Sequence, residues 1–523
     1  MKRIIFLPII LLTLIFVSCD DFLDVMPDNR TDVYDKSKIS KLLVTAYPSS
    51  SSWYIAEFSS DNTDEIIGNF AQGTEMDKTV FFWQDVDYIG QDSPSAFWSG
   101  CYSAIAASNQ ALHAIEVLGN ENGHQKGEAL LTRAYNMFLL SNIFCKAYSP
   151  LTSDADLGLP YPITPETTVI PKYERGTVAE LYKKIEQDIT TGFPLIDDTQ
   201  YEQPKYHFNK KAAAAFAARF YLYYGKNDKA LYYADMVFPE TNVASALRNW
   251  NTIAKENDFQ TRGNNFIDAT NPANLLITVH GSLWQRTHGP YSIGSKYCHN
   301  RYICQTETSE STGPWGASKD AFAYKAFSYT GGLPKYQMLK YWEYFEYTDV
   351  VAGIGYPNFV QVCFSTDEAL LNRAEAKVLL KDYDGALADI NTFLSVFADT
   401  TAGKTAPQLT RTRINDFYNN RYYYTPTEYL SPKKELHPDF NLETGEQENL
   451  IHCILQLRRI LCLHEGIRWN DIKRYGIEIY RRKVDGNRIT TYGEEFVLRK
   501  DDPRRALQIP KSVISAGLEP NPR

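Results

Sequence analysis

The 523 residues are 44% hydrophobic and 14% aromatic, with 54 Lys+Arg against 63 Asp+Glu. A charged fraction of 22% excludes a disordered tail protein, and a formal charge of −9 with no block of five like basic residues excludes phosphate-backbone binding and polybasic attachment to membranes. The 36 Tyr, 27 Phe and 8 Trp suit either a large core or a stacking surface, because Tyr and Trp join flat apolar faces to a polar handle.

Met1, Lys2 and Arg3 precede an apolar run from Ile4 to Val17. That run is shorter than the ~20 residues a membrane-spanning helix needs, so it reads as a signal peptide and not as an anchor. It ends in Phe16-Val17-Ser18-Cys19, which resembles the lipobox cleaved to leave a diacylglyceryl-modified cysteine, with Phe16 where Leu is usual. The expectation is a lipoprotein signal peptide over 1–18, palmitate and diacylglycerol on Cys19, and a tether over 19–35. Asp20 and Asp21 resemble a surface-export signal, which would put the chain on the outside of the outer membrane.

The next clear segments are helical. Phe97 to Leu118 and Gln125 to Phe144 read as amphipathic partners, and Thr177 to Thr190 carries an apolar stripe at Val178, Leu181, Tyr182, Ile185 and Ile189. Lys211 to Tyr224 is alanine-rich and helix-favouring, and Gly225-Lys226-Asn227-Asp228 breaks it before Lys229 to Phe238. Asp367 to Leu380 and Gly385 to Phe397, joined by Lys381-Asp382-Tyr383-Asp384, repeat this tetratricopeptide-like layout, with small residues Ala230 and Ala386 soon after each turn. The spacing is too irregular for a regular solenoid. The predicted fold is mainly α, all-α in class with little β, built of helix pairs near 97–144, 177–238, 367–397 and 446–476.

Regions 46–96 and 240–365 lack sustained helical periodicity and are rich in Ser, Gly, Asn, Thr and aromatics, as binding loops on a rigid scaffold are. Of the cysteines, Cys101, Cys145, Cys453 and Cys462 fall in apolar helical patterns and read as core, while Cys298 and Cys304, in a loop-like stretch, leave a disulfide open. No CxxC pair, nucleophile elbow, zincin helix or Walker loop is present, and Asp61, Asp64 and Glu65 read as solvated loop charges, so no catalysis is predicted. Calcium would suit loop carboxylates, but without an EF-hand word no metal or other cofactor is predicted. Stacking on sugar rings needs flat aromatics beside hydroxyl-binding groups. Two mixtures qualify: Trp53, Tyr54, Trp83 and Tyr88 in the first region, and Trp284, Arg286, Tyr291, Tyr302 and Trp315 in the second. For each ring the alternative is packing within its own loop. Trp98 and Trp469 read as core, and Trp342 is ambiguous.

Several words, in order, resemble the SusD/RagB family of surface lipoproteins. They are Cys19 to Thr31 after the lipobox, Trp98-x3-Tyr102-x2-Ile105-x3-Asn109, Glu128 with Arg133-Ala134-Tyr135, Gly158-Leu159-Pro160, Arg175-Gly176-Thr177, and Asn372-Arg373-Ala374-Glu375-Ala376. The most specific is RRILCLHEGIRWNDIKRYG, Arg458 to Gly476, in which His464 and Tyr475 depart from the family's Phe and Trp. The resemblance implies one SusD-like domain over 36–523 that captures an oligosaccharide and delivers it, as a lid, to a SusC-like TonB-dependent transporter. Oligopeptide capture is the alternative ligand class. It also implies a large partner interface with exposed apolar patches.

Overall fold

The computed structural model of the chain describes residues 35–523, apart from 69, 71–72, 120–122, 167–171 and 289–294. The signal peptide and Cys19 lie outside the described residues. The helical expectation holds closely. Pro94–Val117 begins where Ser93 Oγ accepts from Ala96 N at 3.0 Å, and Pro94 occupies the first turn, where a missing N–H costs nothing. It packs on His124–Phe144, which in turn packs on Val178–Gly192. The last contact is backbone to backbone: a Cβ on Gly127 would lie 2.9 Å from the Gly192 carbonyl oxygen. Val178–Gly192 starts with a reciprocal capping box between Thr177 and Glu180, within the Arg175-Gly176-Thr177 word.

The two tetratricopeptide-like pairs are Lys210–Tyr223 with Asn227–Val237 and Thr366–Leu379 with Tyr383–Phe397. Their turns are alike: Gly225 at φ 73° and Lys381 at φ 67° each take the left-handed conformation one residue after the cap. Ala230 and Ala386 are fully packed between the helices, as their size requires. Thr366–Leu379 then bridges Asn227–Val237 and Glu446–Leu461, so the pairs form one continuous scaffold. Because Gly225 tolerates a positive φ that L-residues resist, Gly225→Ala is expected to cost about 1–2 kcal/mol in denaturant unfolding.

The inserted regions are more ordered than their composition suggests. Region 240–365 contains a three-stranded antiparallel sheet of Asn274–Gly281, Ile354–Ser365 and Glu343–Asp349, which helical periodicity could not reveal. A second sheet runs Arg488–Thr491, Arg482–Asp485, Asp64–Ile66, Tyr297–Cys298. Asp64–Ile66 pairs parallel with Arg482–Asp485 (Glu65 opposite Lys483) and antiparallel with Tyr297–Cys298 (Glu65 opposite Tyr297). Residues from both regions and the C-terminus therefore meet in one small sheet. The fold remains mainly helical, with nineteen α-helices among the described residues against strands that are mostly short.

A chain of buried ion pairs links scaffold and sheet. Arg458 grips Asp471 with Nε and Nη2 at 3.1 and 2.7 Å and reaches Glu375 Oε2 at 2.5 Å, and Arg474 and Tyr475 bond Glu375 Oε1 at 2.9 and 2.6 Å. Next along, Arg468 holds Asp61 bidentately at 2.8 Å, Arg459 and Lys434 hold Glu307 at 2.9 and 2.6 Å, and Arg482 holds Asp64 at 2.7 Å. Burial alone would raise the Glu307 carboxyl, but Lys434, Arg459 and Arg482 outweigh it and hold it down to about 2. Asp61, Asp64 and Glu65, the last paired with Lys296, are thus buried structural anions and not solvated loop charges, which corrects the sequence reading. Arg481 is bonded differently: it donates to the carbonyls of Phe58, Ser59, Ser60, Thr63 and Phe81, capping the C-terminal end of Trp53–Ser59, and burial lowers it to about 9. Removing one partner leaves an uncompensated charge in a dry interior, so Arg458→Met should cost about 3–5 kcal/mol in equilibrium unfolding.

Candidate ligand-binding face

Five of the rings expected at a ligand surface are interior. Trp53, Tyr54, Trp83, Trp284 and Trp315 are 7%, 3%, 3%, 2% and 5% exposed, too little to offer a face. Trp53 packs edge-on against Trp284 and Tyr341. Tyr54 donates its hydroxyl to Asp77 at 2.6 Å, and Trp83 its indole N–H to Ser59 O at 2.9 Å beneath the Arg481 guanidinium. Trp284 stacks on His288 at 4.0 Å, and Trp315 donates to Ser318 Oγ at 2.9 Å. The reason is area: the inserted regions fold into their own helices and sheets, and the largest rings are the first that such a core consumes. Trp98 and Trp469 are core, as expected, while Trp342 is half-buried with its indole N–H on Phe259 O at 3.1 Å. Cys298 and Cys304 are buried free thiols and form no disulfide.

The remaining predicted residues divide by place. Arg286 is surface-exposed but committed, bidentate to Glu343 at 2.7 and 3.0 Å. Tyr88 is 36% exposed. Tyr291 lies outside the described residues. Tyr302 stands where the two loop regions join, at the start of Arg301–Glu307, whose N-terminus is capped by Asn300 directly after the Tyr297–Cys298 strand. The Arg301 guanidinium lies 5.1 Å from the Tyr302 ring centre and bonds Asn487 Oδ1 at 2.8 Å. Phe70 and Ile489 pack beside Tyr302 on a small cluster of Ile66, Cys298 and Val484, and the Lys335 ammonium lies 5.1 Å from the Phe70 ring. Half-buried rings, a guanidinium and an amide thus share one surface.

The sequence reading passed over a further pair of exposed rings. Tyr422 and Tyr429 are 72% and 39% exposed, with centroids 4.6 Å apart and planes inclined by 33°. Their loop is tied by Thr425 N to Tyr429 O at 2.9 Å and by Tyr429 N to Thr425 Oγ1 at 2.7 Å. It is rooted through Tyr424, whose ring lies 3.0 Å from the Lys434 ammonium and 5.7 Å from the Arg482 guanidinium. The same ion network that closes the fold therefore sets this loop beside the Asp64–Ile66 sheet. The signal was present in RYYYTPTEY, Arg421 to Tyr429, where tyrosines flank a Pro-containing turn. Elsewhere, Trp98, Tyr102, Tyr173 and Leu518 border a cleft of about 580 Å³, in which the Tyr102 and Tyr173 hydroxyls donate to Pro160 O and Glu166.

The family model SusD-like_3, described as starch-binding associating with outer membrane, matches residues 21–222. No curated protein matches the chain. Among solved structures, a putative sugar binding protein from Bacteroides vulgatus is 19% identical, with a TM-score of 0.65 over 94% of this chain and 99% of that one. A SusD superfamily protein from Bacteroides thetaiotaomicron is 16% identical at a TM-score of 0.59 over 93% and 98%. A SusD-like carbohydrate binding protein from Bacteroides vulgatus is 15% identical at 0.59 over 92% and 96%. The chain is similar to the SusD-like family model over residues 21–222, and it shares the fold of these SusD superfamily structures over nearly its whole length.

The burial pattern separates two kinds of aromatic mutant. Trp284→Ala or Trp315→Ala should destabilise the fold by about 3–5 kcal/mol in thermal or denaturant unfolding. Tyr422→Ala should stay within about 0.5 kcal/mol of the parent.

Proposed function

We propose that this chain is a cell-surface binding protein that captures an oligosaccharide and delivers it, as a lid, to a SusC-like TonB-dependent transporter. The observation that carries the ligand class is the exposed Tyr422–Tyr429 pair, two rings with centroids 4.6 Å apart and planes inclined by 33°, on a loop rooted through Tyr424 against Lys434 and Arg482. Adjacent flat rings match the apolar faces of successive sugar units, and the guanidinium and amide suit hydroxyls. The sugar-binding description of the Bacteroides vulgatus neighbour supports the same class. Capture without hydrolysis fits the electrostatics of the buried acids beneath the loop: Asp61, Asp64 and Glu65 are each held by a cation and not poised as an acid–base pair.

The partner reading finds support in the hairpin of Glu343–Asp349 and Ile354–Ser365. Its tip exposes Val350, Val351 and Ile354 at 78%, 100% and 58%, and Tyr347 and Tyr356 flank them at 56% and 59%. Unpaired apolar strand edges are a liability unless something covers them. The lipobox supports attachment through Cys19, and no helix among the described residues is long and apolar enough to cross a membrane.

Calorimetry of the purified protein against an oligosaccharide panel, with a peptide digest alongside, tests the ligand class. A glycan should bind, and Tyr422→Ala or Tyr429→Ala should weaken it by on the order of 1–3 kcal/mol. Binding to the digest alone would replace oligosaccharide by oligopeptide. Val351→Asp should reduce co-purification with the transporter while leaving the melting temperature in place.

A further inference from the structure

The Glu343–Asp349 strand lies at the edge of the three-stranded sheet, and one proline decides which of its backbone groups are free. Phe345 stands opposite Pro357, which has no N–H and whose carbonyl accepts from Ser282 N at 3.0 Å and Gln91 Nε2 at 3.2 Å. The two residues therefore exchange no hydrogen bond, and in an antiparallel ladder both members of such a pair turn their N–H and C=O away from each other. By the same alternation Tyr344 and Glu346 bond Asn358 and Tyr356, while Glu343, Phe345 and Tyr347 direct their backbone groups outward. No hydrogen bond among the described residues reaches the outward groups of Phe345 and Tyr347.

The two sides of this hairpin are guarded differently. On the Ile354–Ser365 side, Pro357 removes a donor, Ser282 occupies its carbonyl, and Gly281 pairs with Asn358. The Glu343–Asp349 side has no Lys and no Pro, and its ladder stays regular from Glu343 to Tyr347 before the register slips ahead of Asp349. Its carboxylates are turned to their own surroundings: Glu343 is held by Arg286, Glu346 Oε2 accepts from Asn358 Nδ2 at 3.1 Å, and Asp349 Oδ1 accepts from Val351 N and Ala352 N at 2.9 Å each. The Phe345 and Tyr347 rings, 4.9 Å apart between centroids, stand exposed on one face, and Tyr344 on the other donates its hydroxyl to Asn264 Oδ1 at 3.0 Å.

Charge selects the occupant. Residues 343–365 contain Glu343, Glu346 and Asp349 and no Lys or Arg, and only Glu343 has a cation beside it. A second copy of the chain fits poorly, because the antiparallel register that pairs the whole strand with itself sets Glu346 opposite Glu346 and Glu343 opposite Asp349, and like charges directly opposite repel. We propose that the edge from Glu343 to Tyr347 is a strand-addition site, which takes an extended basic segment of a partner protein through the outward backbone groups of Glu343, Phe345 and Tyr347. The proposal rests on the reading of this hairpin as the partner-facing element and gives that contact its chemistry: main-chain pairing along one edge, with Lys or Arg of the added strand beside Glu346 and Asp349.

Calorimetry of the purified protein against the peptide Lys-Val-Lys-Val-Lys-Val-Lys tests the site. The peptide should bind, and both its fully N-methylated form, which has no backbone donor, and its Glu-for-Lys counterpart should bind about tenfold more weakly or worse. Phe345→Pro removes an outward N–H that the ladder does not use, so it should fold and yet bind the Lys-Val peptide about tenfold more weakly than Phe345→Ala, which also lacks the ring but keeps the N–H. No binding by the Lys-Val peptide, equal binding by the N-methylated or the acidic peptide, or equal affinities of the two variants would each overturn the proposal, and the peptide comparison decides it even where Phe345→Pro does not fold. A dimer in sedimentation that Phe345→Pro dissociates would overturn it in favour of a second copy. Loss of transporter co-purification in Val351→Asp with no peptide binding would discard strand addition and leave the partner reading standing.

Discussion

The structure depends on one physical constraint: a run of guanidinium and ammonium groups, Arg458, Arg459, Arg468, Arg474, Arg482 and Lys434, held in a dry interior by Glu375, Asp471, Asp61, Glu307 and Asp64. Placing such charges out of water is expensive, and replacing them all by apolar groups could leave stability unharmed. What they provide is register. A bidentate pair such as Arg468 with Asp61 has one good geometry, so the turn after Trp53–Ser59 can dock in only one way on the Ile467–Arg474 helix. Through Lys434 and Arg482 the same constraint sets the Tyr422–Tyr429 loop beside the sheet where the inserted regions join.

This explains why the scaffold was legible in the sequence. The words that suggested the family are packing and ion-pair instructions. Arg133 grips Asp188 bidentately at 2.7 Å, Arg175 donates to Gly158 O at 2.8 Å, and Glu375 gathers Arg458, Arg474 and Tyr475. Such roles admit few residue types, and the helices between them carry strong periodicity, so both elements and order could be read. The Asn274–Gly281 strand lacked a readable pattern because it is buried on both faces over most of its length.

The candidate ligand face is less legible, for a physical reason. Tryptophan in a loop reports apolar area, and area is equally useful to a loop's own core, as Trp53, Trp284 and Trp315 show. Tyr422 and Tyr429 are brought together at the surface by the turn at Pro426, and presentation of this kind is a property of three dimensions. Tyr302 lies half-buried beside Arg301, and the Asn487 that Arg301 bonds comes from a hairpin that no sequence pattern marks.

The exposed Tyr422–Tyr429 pair stands on a foundation of buried ion pairs, and the proposed function puts the ligand contacts on these rings. Its central claim concerns where a ligand sits. The most direct measurement is a hydrogen-exchange footprint of the protein with and without a saturating oligosaccharide identified by calorimetry. Protection confined to 298–306 and 420–430 is the expected result. Protection confined to the cleft of Trp98, Tyr102 and Tyr173, with the two tyrosine loops unchanged, would contradict it.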